Sequence, residues 1–463
     1  MEKFDVIFLG AGSAGYVGAI RSADLGMSVC IIENRELGGT CLNRGCIPTK
    51  ALLKSADLYT EAKESKVFGI DIPNISYDID GILKWKENVV KKLVSGVEFL
   101  LKSRKVVIKR GFGKIVDGGT IEIETQNGKE LVQGKNIVIA TGSEPAEIPA
   151  LKIDHVNILN SDDALNLREI PDDVVIVGAG AIGIEFATFW SSFGAKVTIV
   201  EMMPQVVPTL RDRKTAQVIQ RILSKKGVKV ITGTKIENIE VKDGKVYSTL
   251  STGEVLTSSK VLVSIGRKLN SEGIGLESVG IKTDRGRIIV DNYLRTNVEG
   301  FYAVGDVIGG LLLAHKAMYD GETVAEIIAG KDKPVSYEVV PWAIFSKPEI
   351  SAVGLTEEEA VEKGIEVITG EFPFTANGKA LTMNSTDGFV KIVAKKDTKE
   401  IIGAQIVGPE ASVLISELAL AMKAKLTLND IANTIHTHPT LPEAILESAK
   451  SALGEAIHIV NKK

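Results

Sequence analysis

Two cysteines stand close together in a segment whose composition suits redox chemistry. Cys41 and Cys46 are five residues apart, between Gly38 and Lys50. We predict that a helix begins near Pro48, because proline suits the first turn of a helix. Cys46 then lies at a helix N-terminus, where the positive end of the helix dipole lowers a thiol pKa and favours the nucleophilic thiolate.

Four interpretations of this cysteine pair compete. A structural disulfide is typical of secreted proteins rich in cysteine, whereas this chain has three cysteines in 463 residues. A zinc site needs about four ligands, and no second Cys/His cluster is close in sequence. The other two interpretations are a pair of inert thiols and a redox-active pair. We favour the redox-active pair, because a nucleotide-binding pattern directly precedes it.

A second chemical cluster, near the end of the chain, contains two histidines and a carboxylate. His436 and His438 precede Glu443, and Pro439 favours an extended conformation for the residue before it. Thr440, as a helix N-cap, also forms a capping-box pattern with Glu443, and most isolated His-x-His pairs are surface or packed residues. A dithiol that reduces a disulfide must first lose a proton, however, and a carboxylate-oriented histidine is the usual base near neutral pH. The cysteine pair therefore favours His438 as a catalytic base.

An internal repeat is the clearest sign of organisation around these residues. Residues 4–33 and 174–201 each read as strand, glycine-rich turn, helix and strand. Six positions match at a constant offset of 168 residues. They are Gly10, Gly12, Gly15, Gly26, Val29 and Glu33 in the first copy, and Gly178, Gly180, Gly183, Gly194, Val197 and Glu201 in the second. One G-x-G-x-x-G match alone would mean little, whereas two copies with matching acids indicate two nucleotide-binding units.

Each copy has the features of a dinucleotide-binding βαβ unit. The first glycine makes a tight turn, the second lets a pyrophosphate approach the backbone, and the third lets helix and strand pack closely. The helix N-terminus then binds phosphate through free N–H groups. Glu33 and Glu201 can each accept hydrogen bonds from a ribose diol, and the carboxylate of Glu201 favours NAD over NADP because it repels a 2′-phosphate. Two units predict two cofactors.

The rest of the chain alternates helices and strands. The predicted helices span 51–65, 85–103 and 411–424. The second is amphipathic, and its apolar face would carry Val89, Leu93, Val97 and Leu100. The predicted strands span 137–140, 261–265, 301–304, 388–393 and 401–407. A hairpin over 121–132 should turn at Asn127 and Gly128. The change in pattern from Val335 onward indicates a separate C-terminal domain.

Length and composition limit the class of protein. A chain of 463 residues suggests about three domains. The net charge of −4, without a dense Lys/Arg tract, gives no reason to expect nucleic-acid binding. No apolar run reaches the ~18 residues that span a bilayer, and Glu2 and Asp5 stand where a secretion signal needs positive charge. We therefore expect a cytoplasmic protein that binds neither nucleic acid nor membrane.

Together these motifs resemble the dihydrolipoamide dehydrogenases of the class I pyridine nucleotide-disulfide oxidoreductase family. The resemblance covers roughly residues 3–455 and depends on the two fingerprints, the cysteine segment between them and the His438 cluster. Further motifs agree in order at residues 140–143, 181–185, 303–306 and 372–377. Lys347 and Lys379 depart from the family pattern, and both lie outside the redox motif.

The resemblance implies an α/β fold with two Rossmann-like dinucleotide-binding domains, for FAD and NAD, and a C-terminal α+β dimerisation domain. The FAD domain would comprise residues 1–145 and 272–338. The NAD domain, residues 146–271, would be inserted in it, and the dimerisation domain would comprise residues 339–463. The active unit would be a homodimer.

The resemblance also implies the residues that contact each cofactor, and it implies no metal. The FAD contacts would be Gly10, Gly12, Ser13, Ala14, Gly15, Glu33, Gly39, Thr40, Lys50, Gly113, Thr141, Gly142, Ser143, Asp306, Leu312, Leu313, Ala314 and His315. Those around the nicotinamide nucleotide would be Gly178, Gly180, Ala181, Ile182, Gly183, Glu201, Ile236 and Gly266. Glu185 would pair with Lys50 near the flavin ring.

The implied reaction is the oxidation of protein-bound dihydrolipoamide. His438, oriented by Glu443 and contributed by the partner subunit, would deprotonate the substrate, and the resulting thiolate would attack Cys41. Cys46, against the flavin, would pass the electrons to FAD, and FAD would reduce NAD⁺. The lipoyl group would belong to a protein of a 2-oxoacid dehydrogenase complex or of the glycine cleavage system.

Four alternatives fit the chain less well. Mercuric ion reductases carry a C-terminal cysteine pair, and no cysteine follows Cys46 here. Glutathione reductase-like enzymes need arginines near the ribose, which are missing directly after Glu201. Transhydrogenase-like flavoproteins lack one redox cysteine. A structural subunit of a multienzyme assembly would have no reason to carry Cys41, Cys46 and His438 together.

Overall fold

A seven-stranded sheet forms around the first glycine-rich repeat in the computed structural model, which describes residues 1–461. Residues 462 and 463 of the predicted C-terminal domain lie outside the described residues. In spatial order the strands are Val107–Arg110, Val29–Glu33, Glu2–Leu9, Gly128–Ile139, Thr120–Thr125 and Phe112–Ile115, with Phe301–Ala303 also paired to Gly128–Ile139. Val6 to Leu9 are all buried, since a parallel sheet is covered on both faces.

The second repeat forms a five-stranded parallel sheet with a matching order. Its strands, in spatial order, are Lys229–Ile231, Lys196–Val200, Asp173–Val177, Lys260–Val263 and Ile158–Leu159. In both sheets, the strand before the glycine-rich turn lies between the second strand of the repeat and a strand from later in the chain. The internal repeat of the sequence is therefore a structural repeat.

Smaller antiparallel units accompany the two parallel sheets. Ser143–Pro145 pairs with Arg267–Leu269, so the chain enters and leaves the second repeat region as adjacent strands. A three-stranded antiparallel sheet consists of Ile236–Lys242, Lys245–Leu250 and Val255–Ser258. A two-stranded one consists of Thr283–Asp284 and Arg287–Ile288.

A five-stranded antiparallel sheet dominates the C-terminal part. Its strands, in spatial order, are Trp342–Ile344, Glu349–Gly354, Ile401–Gly408, Phe389–Lys395 and Val367–Pro373. The helices Ala411–Lys423 and Glu443–Leu453 bury apolar side chains against it. The change of pattern predicted in this region is confirmed, as is the mixed α/β class of the whole chain.

Helices fill the connections between these strands. Besides the two C-terminal helices already named, the helices are Ser13–Asp24, Gly39–Arg44, Cys46–Glu64, Ile79–Ser103, Ser161–Ala164, Ala181–Ser192, Arg213–Lys225, Leu276–Val279, Ala314–Ile328, Glu357–Glu362, Gly378–Thr382 and Leu428–Asn433. Short 3₁₀ segments span Ser65–Phe68, Pro149–Leu151, Gly305–Ile308 and Phe374–Ala376. Within residues 1–461, no helix combines the length and the apolar character needed to cross a membrane.

The long helix Ile79–Ser103 differs from its prediction. Leu93 and Leu100 of the predicted apolar face are exposed, and only Val97 of that face is fully buried. The buried stripe instead includes Lys86, whose ammonium group donates to the Leu165 carbonyl at 2.7 Å. Because a charged residue lies within the buried face of this helix, the spacing of its hydrophobic residues does not reveal which face is buried.

The hairpin predicted over 121–132 forms one residue out of its expected register. Thr125 pairs with Gly128, so the turn is made by Gln126 and Asn127. Gly128, with a φ of +122°, therefore belongs to the returning strand.

Candidate active site

A cavity of about 1040 Å³ extends from the first glycine-rich turn to the two cysteines. It exceeds the usual range for a small-ligand pocket and suits an extended dinucleotide. The predicted site residues that line it are Gly10, Gly12, Ser13, Ala14, Glu33, Gly39, Thr40, Cys41, Cys46, Lys50, Gly113, Thr141, Gly142, Ser143, Ala181, Ile182, Glu185, Asp306, Leu312, Leu313, Ala314 and His315.

The three glycines of the first turn differ in what surrounds them. A Cβ on Gly10 would lie 2.4 Å from the Ala140 carbonyl oxygen, and one on Gly15 would lie 1.9 Å from the Gly10 oxygen. A Cβ on Gly12 would meet only the Gly39 Cα, at 3.9 Å. The first and third glycines are thus required by the fold, whereas the space above the second is left for a ligand.

The second glycine-rich turn repeats this arrangement. A Cβ on Gly178 would lie 2.5 Å from the Ser264 oxygen, and one on Gly183 would lie 2.1 Å from the Gly178 oxygen. Nothing stands within 4 Å of a Cβ on Gly180. Both turns therefore fit a pyrophosphate at the same position.

The different surroundings of the second and third glycines predict that one substitution lowers stability and the other lowers NAD affinity. Gly183→Ala should lower the free energy of unfolding by about 1–3 kcal/mol through overpacking. Gly180→Ala should fold normally, because its φ is −82°, but should weaken NAD binding by about tenfold, or ~1.4 kcal/mol. Thermal unfolding and titration with NAD⁺ check both. Normal NAD affinity in Gly180→Ala would contradict the assignment of that space to the pyrophosphate.

The acidic residues of the two repeats are held in equivalent ways. Glu33 accepts hydrogen bonds from the backbone N–H groups of Ala11 and Arg35, both at 2.7 Å. Glu201 accepts them from Ala179 at 2.7 Å and from Met203 at 2.8 Å. Each carboxylate is thereby fixed beside its glycine turn and keeps lone pairs for a ribose diol.

Two consecutive helices position the cysteines. Cys41 lies in Gly39–Arg44, and Cys46 is the first residue of Cys46–Glu64, two residues earlier than the predicted helix start. The Asn43 amide donates to the carbonyls of Leu37 and Gly39 at 2.9 Å and so fixes the first helix. The two thiols lie close enough to shift the pKa of each other.

The surroundings of the two thiols favour a thiolate at Cys46. A hydrogen bond from the Cys41 thiol, assisted by the ammonium group of Lys50, lowers the pKa of Cys46 to about 7. The same contact and burial raise the pKa of Cys41. Lys50 is itself held by Glu185, with Nζ to carboxylate oxygen distances of 2.7 and 2.9 Å. Its Nζ also lies 4.5 Å from the ring centroid of Phe345.

The lowered pKa of Cys46 predicts how the reduced pair titrates. The thiolate should persist above about pH 7 and be lost as the pH falls through that value. Lys50→Met should move the midpoint upward, because a positive charge is removed. Ultraviolet absorbance of the thiolate during a pH titration measures both. Cys30, whose pKa is raised by burial to about 12, should not contribute. A midpoint that is unchanged in Lys50→Met would contradict this electrostatic role.

Arg267 is a site residue that the sequence reasoning missed. Its guanidinium donates to the Ser143 hydroxyl and carbonyl oxygens, both at 2.7 Å, and that hydroxyl donates to Asp306 at 2.5 Å. Burial lowers the pKa of Arg267. This chain of contacts fixes Asp306 in the cavity wall. In the sequence, the position of this arginine directly after Gly266, at the end of a predicted strand, could have indicated that it belongs to the site.

The His438 cluster lies outside this cavity in the described chain. The Nδ1 atom of His438 is 2.8 Å from the Glu443 carboxylate, and its side chain is 77% exposed. Glu443 also accepts the Thr440 backbone N–H at 2.8 Å. The predicted N-cap at Thr440 is wrong, because the helix begins at Glu443 and Pro442 occupies the capping position.

Comparison with known proteins identifies the family. The profile described as Pyridine nucleotide-disulphide oxidoreductase matches residues 4–321, and the dimerisation domain of that family matches residues 340–449. The chain belongs to the pyridine nucleotide-disulphide oxidoreductase family. The resemblance recognised in the sequence is thereby confirmed.

Relatives of this oxidoreductase align along nearly their whole length. The dihydrolipoyl dehydrogenase of Geobacillus stearothermophilus is 46% identical over 99% of this chain and 98% of that protein. The mitochondrial dihydrolipoyl dehydrogenase of Pisum sativum is 42% identical over 99% of this chain and 93% of that protein. LpdA from Mycobacterium tuberculosis has a TM-score of 0.91 at 28% identity, covering 97% of this chain and 99% of its own. The flavoprotein disulfide reductase RclA from Escherichia coli has a TM-score of 0.89 at 29% identity, covering 97% and 99%.

The remaining predicted residues of this disulphide oxidoreductase lie apart from the main cavity. Gly15 packs behind the first turn, and Gly178, Gly180, Gly183 and Glu201 belong to the second. Ile236 is buried at the start of its strand, and Gly266 precedes Arg267 with a φ of +126°. His438 and Glu443 lie within the matched dimerisation domain, which supports a homodimer.

Proposed function

We propose that this disulphide oxidoreductase is a dihydrolipoyl dehydrogenase, which oxidises a protein-bound dihydrolipoyl group and reduces NAD⁺. One observation carries the proposal. The Cys41–Cys46 thiol pair lies in a dinucleotide-sized cavity that also receives Ala181 and Ile182, the first residues of the helix after the second glycine-rich turn. A dithiol and two nucleotide units thus meet around one space. The names of the full-length relatives support this substrate.

The cavity fits FAD as the resident cofactor. Gly12 leaves open space where a pyrophosphate would lie, Glu33 offers acceptors to a ribose, and Asp306 is held in the wall beside Ser143. Lys50, paired with Glu185, lies near the cysteine end. When bound, FAD would relay two electrons between the cysteine pair and NAD⁺.

The sulfur chemistry assigns a different role to each cysteine. His438, oriented by Glu443, takes the proton from one substrate thiol, and the thiolate attacks the Cys41 sulfur of the Cys41–Cys46 disulfide. The disulfide breaks, a mixed disulfide forms and Cys46 leaves as a thiolate, which the Lys50 charge stabilises. The protonated His438 gives its first proton to the Cys41 sulfur as the second substrate sulfur displaces it, and then takes the proton of that second thiol. One proton thus ends on Cys41 and one on His438. The substrate leaves as a cyclic disulfide, and the enzyme is left with two more electrons.

His438 acts in this scheme on the cysteines of the other subunit. Within the described chain, neither His438 nor Glu443 lines the cavity, and His438 is largely exposed. A second copy that covers the C-terminal helices would bring the base to the cysteines. The division into an FAD domain at 1–145 and 272–338, an NAD domain at 146–271 and a dimerisation domain at 339–463 belongs to the same proposal.

The test uses the purified protein with two forms of substrate and two nicotinamides. A lipoylated protein domain in its reduced form and free dihydrolipoamide should both support NAD⁺ reduction. NADP⁺ should give a much lower rate, because Glu201 would oppose its 2′-phosphate. Equal rates with NADP⁺ would contradict the role of Glu201, and no turnover with either dithiol would contradict the proposed substrate.

A further inference from the structure

The side chain of His436 is buried, unlike that of the histidine two residues after it. Its side chain is 6% exposed, whereas that of His438 is 77% exposed. Its Nδ1 atom lies 2.9 Å from the Thr434 carbonyl oxygen, and its Nε2 atom lies 3.1 Å from Oε1 of Glu417. An imidazole protonated at both nitrogens donates to both acceptors, whereas a neutral one donates to only one. Both ring nitrogens of His436 are thus engaged within the chain.

These contacts connect three parts of the C-terminal region. Glu417 belongs to the helix Ala411–Lys423, and Thr434 directly follows the helix Leu428–Asn433. Thr434 is itself fixed, because its hydroxyl donates to the carbonyl of Asp430 at 2.7 Å. His436 therefore fastens the extended segment after one helix to the side of another.

Most residues of this segment are exposed, and a further hydrogen bond comes from the Thr440 hydroxyl, which donates to the Thr437 carbonyl at 2.6 Å. Ile435 is 97% exposed, although it is a large apolar residue. His438 projects outward, and its contact with Glu443 fixes the ring but involves only one ring nitrogen. The backbone from which His438 projects is therefore held on one side by the contact of Thr440 with Thr437 and on the other by His436, whose side chain is buried.

We propose that His436 and Glu417 are positioning residues for the base His438. This inference rests on the proposed function, in which His438 deprotonates the dithiol. The imidazole of His436 holds the segment 434–438 against the helix that carries Glu417, so that His438 reaches the cysteines in one orientation. Without that contact the base would sample several positions, and only dithiol oxidation would slow.

The test compares two substitutions at Glu417 in the FAD-loaded dimer. Glu417→Ala removes the acceptor, and kcat for dihydrolipoamide oxidation should fall by about tenfold, as expected for a misplaced base. Glu417→Gln can donate its amide N–H to the neutral ring, so it should retain most of the wild-type rate. NADH-driven reduction of ferricyanide, which needs no base, should be unchanged in both. Lys423→Ala, on the same helix, is the matched control.

A double-substitution cycle gives an independent readout. If His436 and Glu417 act through each other, His436→Ala combined with Glu417→Ala should be no slower than the slower single variant. A wild-type rate of dithiol oxidation in Glu417→Ala would overturn the proposal. An equal loss of the ferricyanide reaction would also overturn it, because it would show general structural damage. An inactive wild-type enzyme would instead overturn the proposed function, so the two failures are distinguishable.

Discussion

Replacing Cys46 with serine is expected to lower kcat for dihydrolipoamide oxidation by about 10³-fold or more, while the cofactor stays bound. The substitution keeps the shape of the first helical residue but removes the sulfur that leaves as a thiolate. Cofactor retention should be normal, because the glycine turn, Glu33 and Asp306 are untouched. Steady-state rates and the flavin absorbance of the purified variant measure the two effects separately.

The third cysteine provides the matched control for this variant. Cys30 is fully buried in the strand Val29–Glu33 and does not line the cavity. Cys30→Ala should therefore reduce stability slightly and leave turnover unchanged. Activity like that of the wild type in Cys46→Ser would remove the cysteine pair from the reaction.

The second large effect is expected for the base. His438→Gln should lower dithiol oxidation by about 10²- to 10⁴-fold, the usual contribution of a general base. NADH-driven reduction of ferricyanide should persist, because it does not require deprotonation of a dithiol. The ratio of these two rates in each variant is the measurement.

Another histidine offers a geometrically similar control. The Nδ1 atom of His155 lies 3.0 Å from a carboxylate oxygen of Asp163, and its side chain is also exposed. His155→Gln should leave both reactions unchanged. A comparable loss of dithiol oxidation in His155→Gln would show that removing any carboxylate-bound histidine has this effect, and His438 would lose its special role.

Co-expression of the two inactive variants tests whether the base acts across the dimer. Random pairing of Cys46→Ser and His438→Gln subunits gives heterodimers with one intact site, so about one quarter of the wild-type activity should return. No recovered activity, in a preparation shown to contain heterodimers, would place the base and the cysteines in the same subunit.

The glycine turns show how far a sequence can predict a site. The third glycine of each repeat is required by a contact within a few residues, since the 1.9 and 2.1 Å approaches at Gly15 and Gly183 are to the first glycine of the same turn. The first glycine is required by the carbonyl that follows a strand from later in the chain, which occupies the same place in both repeats. Such requirements repeat wherever the local fold repeats. The two nucleotide units could therefore be predicted from the glycine spacing, the preceding strands and the matching acids, whereas the domain arrangement was predicted from the family resemblance.

Other features depend on distant contacts and could not be read from spacing. Arg267 reaches Ser143, which is 124 residues away in sequence, and Lys86 is buried because Leu165 supplies a carbonyl. The helix N-cap was wrongly predicted at Thr440, because the Thr440 hydroxyl donates to the Thr437 carbonyl and does not cap the helix, although the Glu443 carboxylate accepts the Thr440 N–H. The local pattern is the same for a capping box and for this arrangement.

The most direct test of the central claim is the initial rate of NAD⁺ reduction by dihydrolipoamide with the purified, yellow homodimer. Reduced glutathione, a monothiol, serves as the control reductant under the same conditions. Fast reduction of NAD⁺ by dihydrolipoamide, and none by glutathione, is the predicted result. No reduction of NAD⁺ by dihydrolipoamide, from a folded dimer that contains flavin, would contradict the proposed function and leave a disulphide oxidoreductase with a different substrate.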